Sequence, residues 1–143
     1  MAETRDVART FIDAFNSHDP ARIAAVHSDT VVAVVPPDTT LRGREAVTGY
    51  VLGWVSAFPD SYLEVHDEII ADDTAIQQFT FRGTHTGALQ GPGGEIPATG
   101  RSLAGRGVQI VTVAGDEVAE FQLYFDQVQV LTQLGLMPDP APA

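Results

Sequence analysis

The sequence predicts an α+β domain in which three N-terminal helices lie on a curved, mostly antiparallel sheet and enclose one apolar pocket. Three observations predict it. Apolar residues recur at helical spacing in the first 58 positions, with one strand set among the helices. The rest of the chain alternates with a period of two, punctuated by hairpin turns. No linker or repeat divides the 143 residues, so helices segregated from hairpins must share one core. The predicted domain runs over 1–136, followed by a proline-rich tail at 137–143.

Thr4 is the expected cap of the first helix, whose inward face carries Val7, Phe11, Ala14 and Phe15. Asp19 caps a second helix, with Pro20 at its first position, where the missing N–H is harmless. That helix should run to His27 and turn Ile23 and Val26 inward. Thr30 to Val35 is β-branched and reads as a strand ended by Pro36-Pro37. Arg44 to Phe58 carries the clearest helical stripe, with Val47, Tyr50, Val51, Trp54, Val55 and Phe58 at spacings of three and four. Strands are then expected at 61–71, 74–86, 102–113 and 118–128, with turns at Asp72-Asp73 and Ala114-Gly115-Asp116. The glycine-rich stretch 87–100 reads as a loop. Val130, Leu131 and Leu134 form a closing helical turn ended by Gly135.

The net charge is −11 and every basic residue is arginine. Such a chain is repelled by phosphate backbones and anionic lipid, which argues against nucleic acid, membrane surfaces and highly anionic substrates. With no cysteine, disulfides and thiolate chemistry are excluded. The N-terminus has no signal-like apolar segment and the longest aliphatic run, Val31 to Val35, is too short to span a bilayer, so a cytoplasmic location is expected. There is no Gly-x-Ser-x-Gly elbow and no phosphate loop. His18, His27, His66 and His85 lack metal-ligand spacing, so neither a metal nor a cofactor is expected.

The last strand holds the chemical candidates. Alternation places Glu120, Gln122, Tyr124 and Asp126 on one face and Phe121, Leu123 and Phe125 on the other. The polar face either meets water or lines a cavity. In the second case Asp126, followed by Val128, Val130 and Leu131, would be a carboxylate in an apolar wall, which is how a general base is made. Gln109 interrupts Val108, Ile110 and Val111, and a buried amide there must find a partner, either a ligand oxygen or Gln122 or Tyr124. His85, between Gly83 and Gly87, serves either as a loop tie or as an auxiliary acid.

Three segments carry a resemblance: Leu41-Arg42-Gly43-Arg44-Glu45-Ala46, Phe81-Arg82-Gly83-Thr84-His85-Thr86-Gly87, and Tyr124-Phe125-Asp126-Gln127 leading to Gln133-Leu134-Gly135. In order and spacing the chain resembles the SnoaL-like polyketide cyclases, within the fold group of nuclear transport factor 2 and ketosteroid isomerase. The resemblance implies a cone-shaped barrel with a deep apolar cavity and a cofactor-free, aldol-type ring closure. It implies Asp126 as the base that removes a proton beside a carbonyl, with Gln109 and Tyr124 as donors or orienters. Phe15, Tyr50, Trp54 and Phe79 are then expected pocket walls, with Gln122 beside them. The strand before the last offers Gln109, flanked by Gly107 and Val111, where the cyclases place a polar pair.

The leading expectation is a cyclase or isomerase acting on a hydrophobic carbonyl compound. The alternative is a non-catalytic ligand-binding or interaction protein of the same shape. Epoxide hydrolase or dehydratase chemistry is a further alternative, although Arg101 and Arg106 lack close acidic partners on their strand. A homodimer formed through the outer sheet face is expected in either case. Phe121, Leu123 and Phe125 belong either to that face or to the core.

Overall fold

The computed structural model describes residues 3–137 except Pro92. Of the expected tail at 137–143, all but Met137 lies outside the described residues. Helix α1 (Thr4–Ser17) is preceded by Glu3 at the cap position, and Thr4 Oγ1 donates instead to the Asp72 carbonyl. Asp19 does cap α2 (Pro20–Val26), accepting from the Ala21 N–H at 2.9 Å. Strand β1 (His27–Val35) starts earlier than expected, directly at the helix end. A short strand β2 (Thr39–Arg42), read from the sequence as a lead-in, pairs with β1 before α3 (Arg44–Ala57).

The long strands are β3 (Tyr62–Ala71), β4 (Thr74–Thr84), β7 (Ser102–Ala114) and β8 (Glu117–Phe125). The expected loop between β4 and β7 contains a small hairpin, β5 (Leu89–Gly91) with β6 (Gly94–Ile96). Strand β8 ends at Phe125, three residues short of expectation, because Asp126 caps α4 (Gln127–Gln133). The six-stranded sheet has the order β2-β1-β8-β7-β4-β3, antiparallel except for the β1–β8 pair. It is open, with β2 and β3 as its edges.

The fold is thus α+β, with helices on the concave side of a curved, mostly antiparallel sheet. Two apolar clusters fill that side. One joins α1, α2, β1 and β8 through Phe11, Ile23, Val31 and Phe121. The other joins α3 and α4 to the β4–β7 end through Phe58, Leu103, Val130 and Leu134. Burying such side chains contributes roughly 1.5–3 kcal/mol each. The seam between the two clusters is where the cavity lies. Among the described residues no helix is long and apolar enough to cross a membrane.

Candidate active site

The cavity is built from both layers. Phe11 and Phe15 reach it from α1, Ile23 from α2, and Tyr50 and Trp54 from α3. The sheet contributes Phe79 and Phe81 from β4, Gln109 from β7, and Phe121, Leu123 and Phe125 from β8. Register explains the sheet's share. Gln77 lies opposite Gln109, which lies opposite Leu123, and residues two apart along each strand share that face. Gly107 leaves the space that Phe79 occupies, since a Cβ there would come within 2.7 Å of its ring. Trp54 sets its ring edge-on to Phe81 and Phe125, with centroids 5.5 Å away in each case.

The cavity volume is about 80 Å³. A groove of about 240 Å³ adjoins it, bounded by Pro36, Pro37, Leu89, Ile96, Gln127 and Leu131. Tyr50, Trp54, Phe125 and Val130 line both spaces. Neither alone reaches the roughly 300 Å³ of an ordinary small-molecule site, whereas together they do.

The polar groups in this apolar space are few. His27 is fully buried, with its ring between Phe11 and Phe121 at centroid distances of 5.5 and 6.0 Å. Neither ring nitrogen makes a well-formed hydrogen bond among the described residues, and the one group that offers the ring a bond is the Ile23 backbone, one helical turn earlier. Burial pushes its pKa down to about 4; the Ile23 backbone opposes this shift and the Arg44 guanidinium adds to it. At neutral pH the ring is therefore uncharged, with one N–H donor and one bare nitrogen. Its backbone is fixed by Arg44, whose Nε and Nη2 donate to the His27 carbonyl at 3.0 and 2.8 Å. Gln109 is buried, and its Nε2 donates to Gln77 Oε1 at 2.9 Å. Tyr50 is half-buried, and burial drives its phenol up to about 12 against the opposing Trp54 side chain, so it remains an O–H donor.

Several sequence-predicted residues lie elsewhere. Asp126 is exposed on the outside of the sheet end, where Oδ1 accepts from the Val128 and Gln129 N–H groups at 2.9 and 3.1 Å. Its surroundings are solvent and a helix N-terminus, in place of the apolar wall expected. Tyr124 is 51% exposed, and its hydroxyl donates to Gln122 Oε1 at 3.3 Å, so this pair also faces outward. Phe121, Leu123 and Phe125 accordingly belong to the core side of β8, with no part in an outer apolar face. His85 is buried and does not line the cavity; Phe58 stands between its ring and the lining residues Trp54 and Phe81. Its Nδ1 accepts from the Thr99 N–H, its ring stacks on Phe58, and burial lowers its pKa. It ties down the strand-connecting loop.

The structure therefore gathers Gln109, Phe15, Tyr50, Trp54 and Phe79, and leaves out Asp126, Tyr124, Gln122 and His85. It adds His27, which the sequence reading placed at a helix end without a role. A signal was present: His27 follows the inward-facing Ile23 by four residues, one helical turn on the same face.

The comparisons agree with this architecture. The sequence pattern of the SnoaL-like polyketide cyclases matches residues 5–134. The chain belongs to that family. A candidate SnoaL-like polyketide cyclase from Jannaschia sp. CCS1 superposes with a TM-score of 0.82 at 16% identity, over 94% of this chain and 93% of that one. IdmH of Streptomyces antibioticus, a candidate polyketide cyclase, is 26% identical over 94% of this chain and 99% of that one, with a TM-score of 0.77. AclR of Streptomyces galilaeus, a candidate hydroxylase, is 25% identical over 99% and 86%, with a TM-score of 0.81. No functionally curated protein matches the chain. Family membership supports a cyclase-type enzyme in general terms.

Proposed function

We propose that the protein catalyses enolisation and ring closure of a hydrophobic carbonyl compound that spans the cavity and its adjoining groove. One observation carries this reading: a neutral, fully buried imidazole, to which the protein offers no hydrogen bond beyond the Ile23 backbone, sits with a bare nitrogen in a wall that is otherwise almost wholly apolar. Leaving such groups unpaired costs roughly 1–3 kcal/mol, a cost that a bound ligand's polar groups would offset.

His27 is the proton acceptor in this scheme. Its bare nitrogen takes a proton from the carbon beside the carbonyl, and the C–H electron pair becomes the enolate. The enolate carbon attacks a second carbonyl in the same molecule, and the imidazolium returns the proton to the new alkoxide. A base held near 4 is weak in the empty site, but an enolate forming beside it raises its pKa during the reaction. The Tyr50 hydroxyl supplies a donor for the developing oxyanion. Phe15, Trp54 and Phe79 hold the chain folded, and an intramolecular reaction in a shaped pocket gains several kcal/mol from positioning.

One further observation favours a second reading. Neither the cavity nor the groove has a carboxylate among its lining residues, as would suit a non-catalytic carrier of the same shape.

Hydrogen–deuterium exchange of 2-tetralone in D₂O, followed by proton NMR, separates the two. The wild type is expected to exchange the α-protons at least about tenfold faster than buffer. His27→Gln should return the rate towards that of buffer, and Asp126→Asn should leave it unchanged. Binding without accelerated exchange supports the carrier. Loss of exchange in a folded Asp126→Asn variant would overturn the assignment of His27.

A further inference from the structure

Behind Gln109 runs a chain of side chains that fixes which end of its amide faces the cavity. Glu68 on β3 is largely buried, with its carboxylate Oε1 3.6 Å from Arg5 Nε and 3.9 Å from Arg9 Nε. Gln77, fully buried on β4, donates from Nε2 to Glu68 Oε2 at 2.9 Å and to the Ala8 carbonyl at 3.3 Å. Both of those partners can only accept. The Gln77 NH₂ must therefore point at them, and its Oε1 must point the other way, at Gln109. The Gln109 NH₂ then has to donate to it, as it does at 2.9 Å. No donor among the described residues reaches Gln109 Oε1, and Gln109 lines the cavity. The orientation is thus set by an acceptor-only anchor two residues away, and the amide cannot turn over without leaving two buried groups unpaired.

We infer that Glu68, through Gln77, locks Gln109 as a hydrogen-bond acceptor at the cavity wall, so that the site selects ligands that present a hydroxyl or other donor there over ligands that present a carbonyl. Glu68 and Gln77 are positioning residues, and Gln109 is the specificity-determining one. The inference rests on the cavity being the ligand site and adds the polarity of the group that meets this wall. It differs from the sequence reading, in which Gln109 is a donor or an orienter.

The test uses two probes of similar shape, 2-naphthol, which can donate, and 2-acetonaphthone, which can only accept. Binding is read from the indole N–H resonance of Trp54, the single tryptophan, which lines the cavity. The wild type should bind 2-naphthol about tenfold more tightly, the effect of one well-made hydrogen bond against one opposed pair of oxygens. Gln77→Lys is the decisive variant. A lysine there still donates to Glu68 and the Ala8 carbonyl but can only donate to Gln109, which must turn its NH₂ to the cavity. The preference should shrink or reverse, a change that mere loosening of the core would not produce. In Gln109→Leu the two probes should bind alike.

Equal wild-type affinities for the two probes would overturn the inference and leave the cavity reading intact. No shift of the Trp54 resonance with either probe would overturn both. A naphthol preference that survives in folded Gln109→Leu would overturn the role of Gln109. Should Gln77→Lys fail to fold, the wild-type ratio and Gln109→Leu still decide the matter.

Discussion

At the scale of single residues, the site turns on a histidine whose environment opposes its charge. Burial takes the His27 pKa down to about 4, and the protein offers the ring nitrogens no bond beyond the Ile23 backbone. Such a residue lowers stability relative to an apolar ring of similar shape. His27→Phe is therefore expected to raise the denaturation free energy by about 1–2 kcal/mol, measured by urea unfolding, while abolishing probe exchange. A loss of stability in this variant would show that the ring makes bonds that hold the fold. The sequence made some of this legible and hid the rest. Phe15, Tyr50, Trp54 and Phe79 were readable as walls because each sits on an apolar stripe, and Gln109 because one amide interrupts an aliphatic strand. His27 was not, because a helix-end histidine looks the same whether its ring turns out or in. The orientation of the Gln109 amide depends on Glu68, 41 positions away in the chain, through a contact that register alone creates.

At the scale of elements, β8 shows how far alternation reaches. It sorted Glu120, Gln122 and Tyr124 from Phe121, Leu123 and Phe125 correctly, since side chains on a strand must alternate. It could not say which set meets the helices. The apolar set does, which is the ordinary outcome for a sheet covered on one face. The strand ends earlier than its pattern predicts for a local reason. Val128 and Val130 extend the apolar pattern, but Asp126 starts a helix by accepting from two N–H groups, and a cap outweighs β-propensity at this position. Asp126→Ala should accordingly cost about 1 kcal/mol in stability, read by thermal or urea unfolding, with probe binding preserved. A folded variant of unchanged stability that no longer binds probe would place Asp126 at the site after all. Strand β1 also begins where α2 stops, so that His27 is carried into the core by the junction, with Arg44 of α3 bonded to its carbonyl.

At the scale of the whole molecule, the α+β class and the helix-on-sheet arrangement followed from the change of period half-way along the chain. The small β5–β6 hairpin and β2 leave no signal in the sequence because three- and four-residue strands carry too few positions to show a period. Two core clusters that do not quite meet leave the cavity between them, so the fold itself supplies the dry space and the side chains at its seam supply the chemistry. The central claim is that this seam, with His27 neutral in it and one ring nitrogen bare, is the working site. The most direct measurement is the titration of the His27 ring by nitrogen-15 NMR, assigned with His27→Gln. The account predicts an uncharged ring at all pH values above 5, with a midpoint near 4. A midpoint at or above the ordinary value of about 6.5 would mean that the ring meets water or a carboxylate, and would contradict the account.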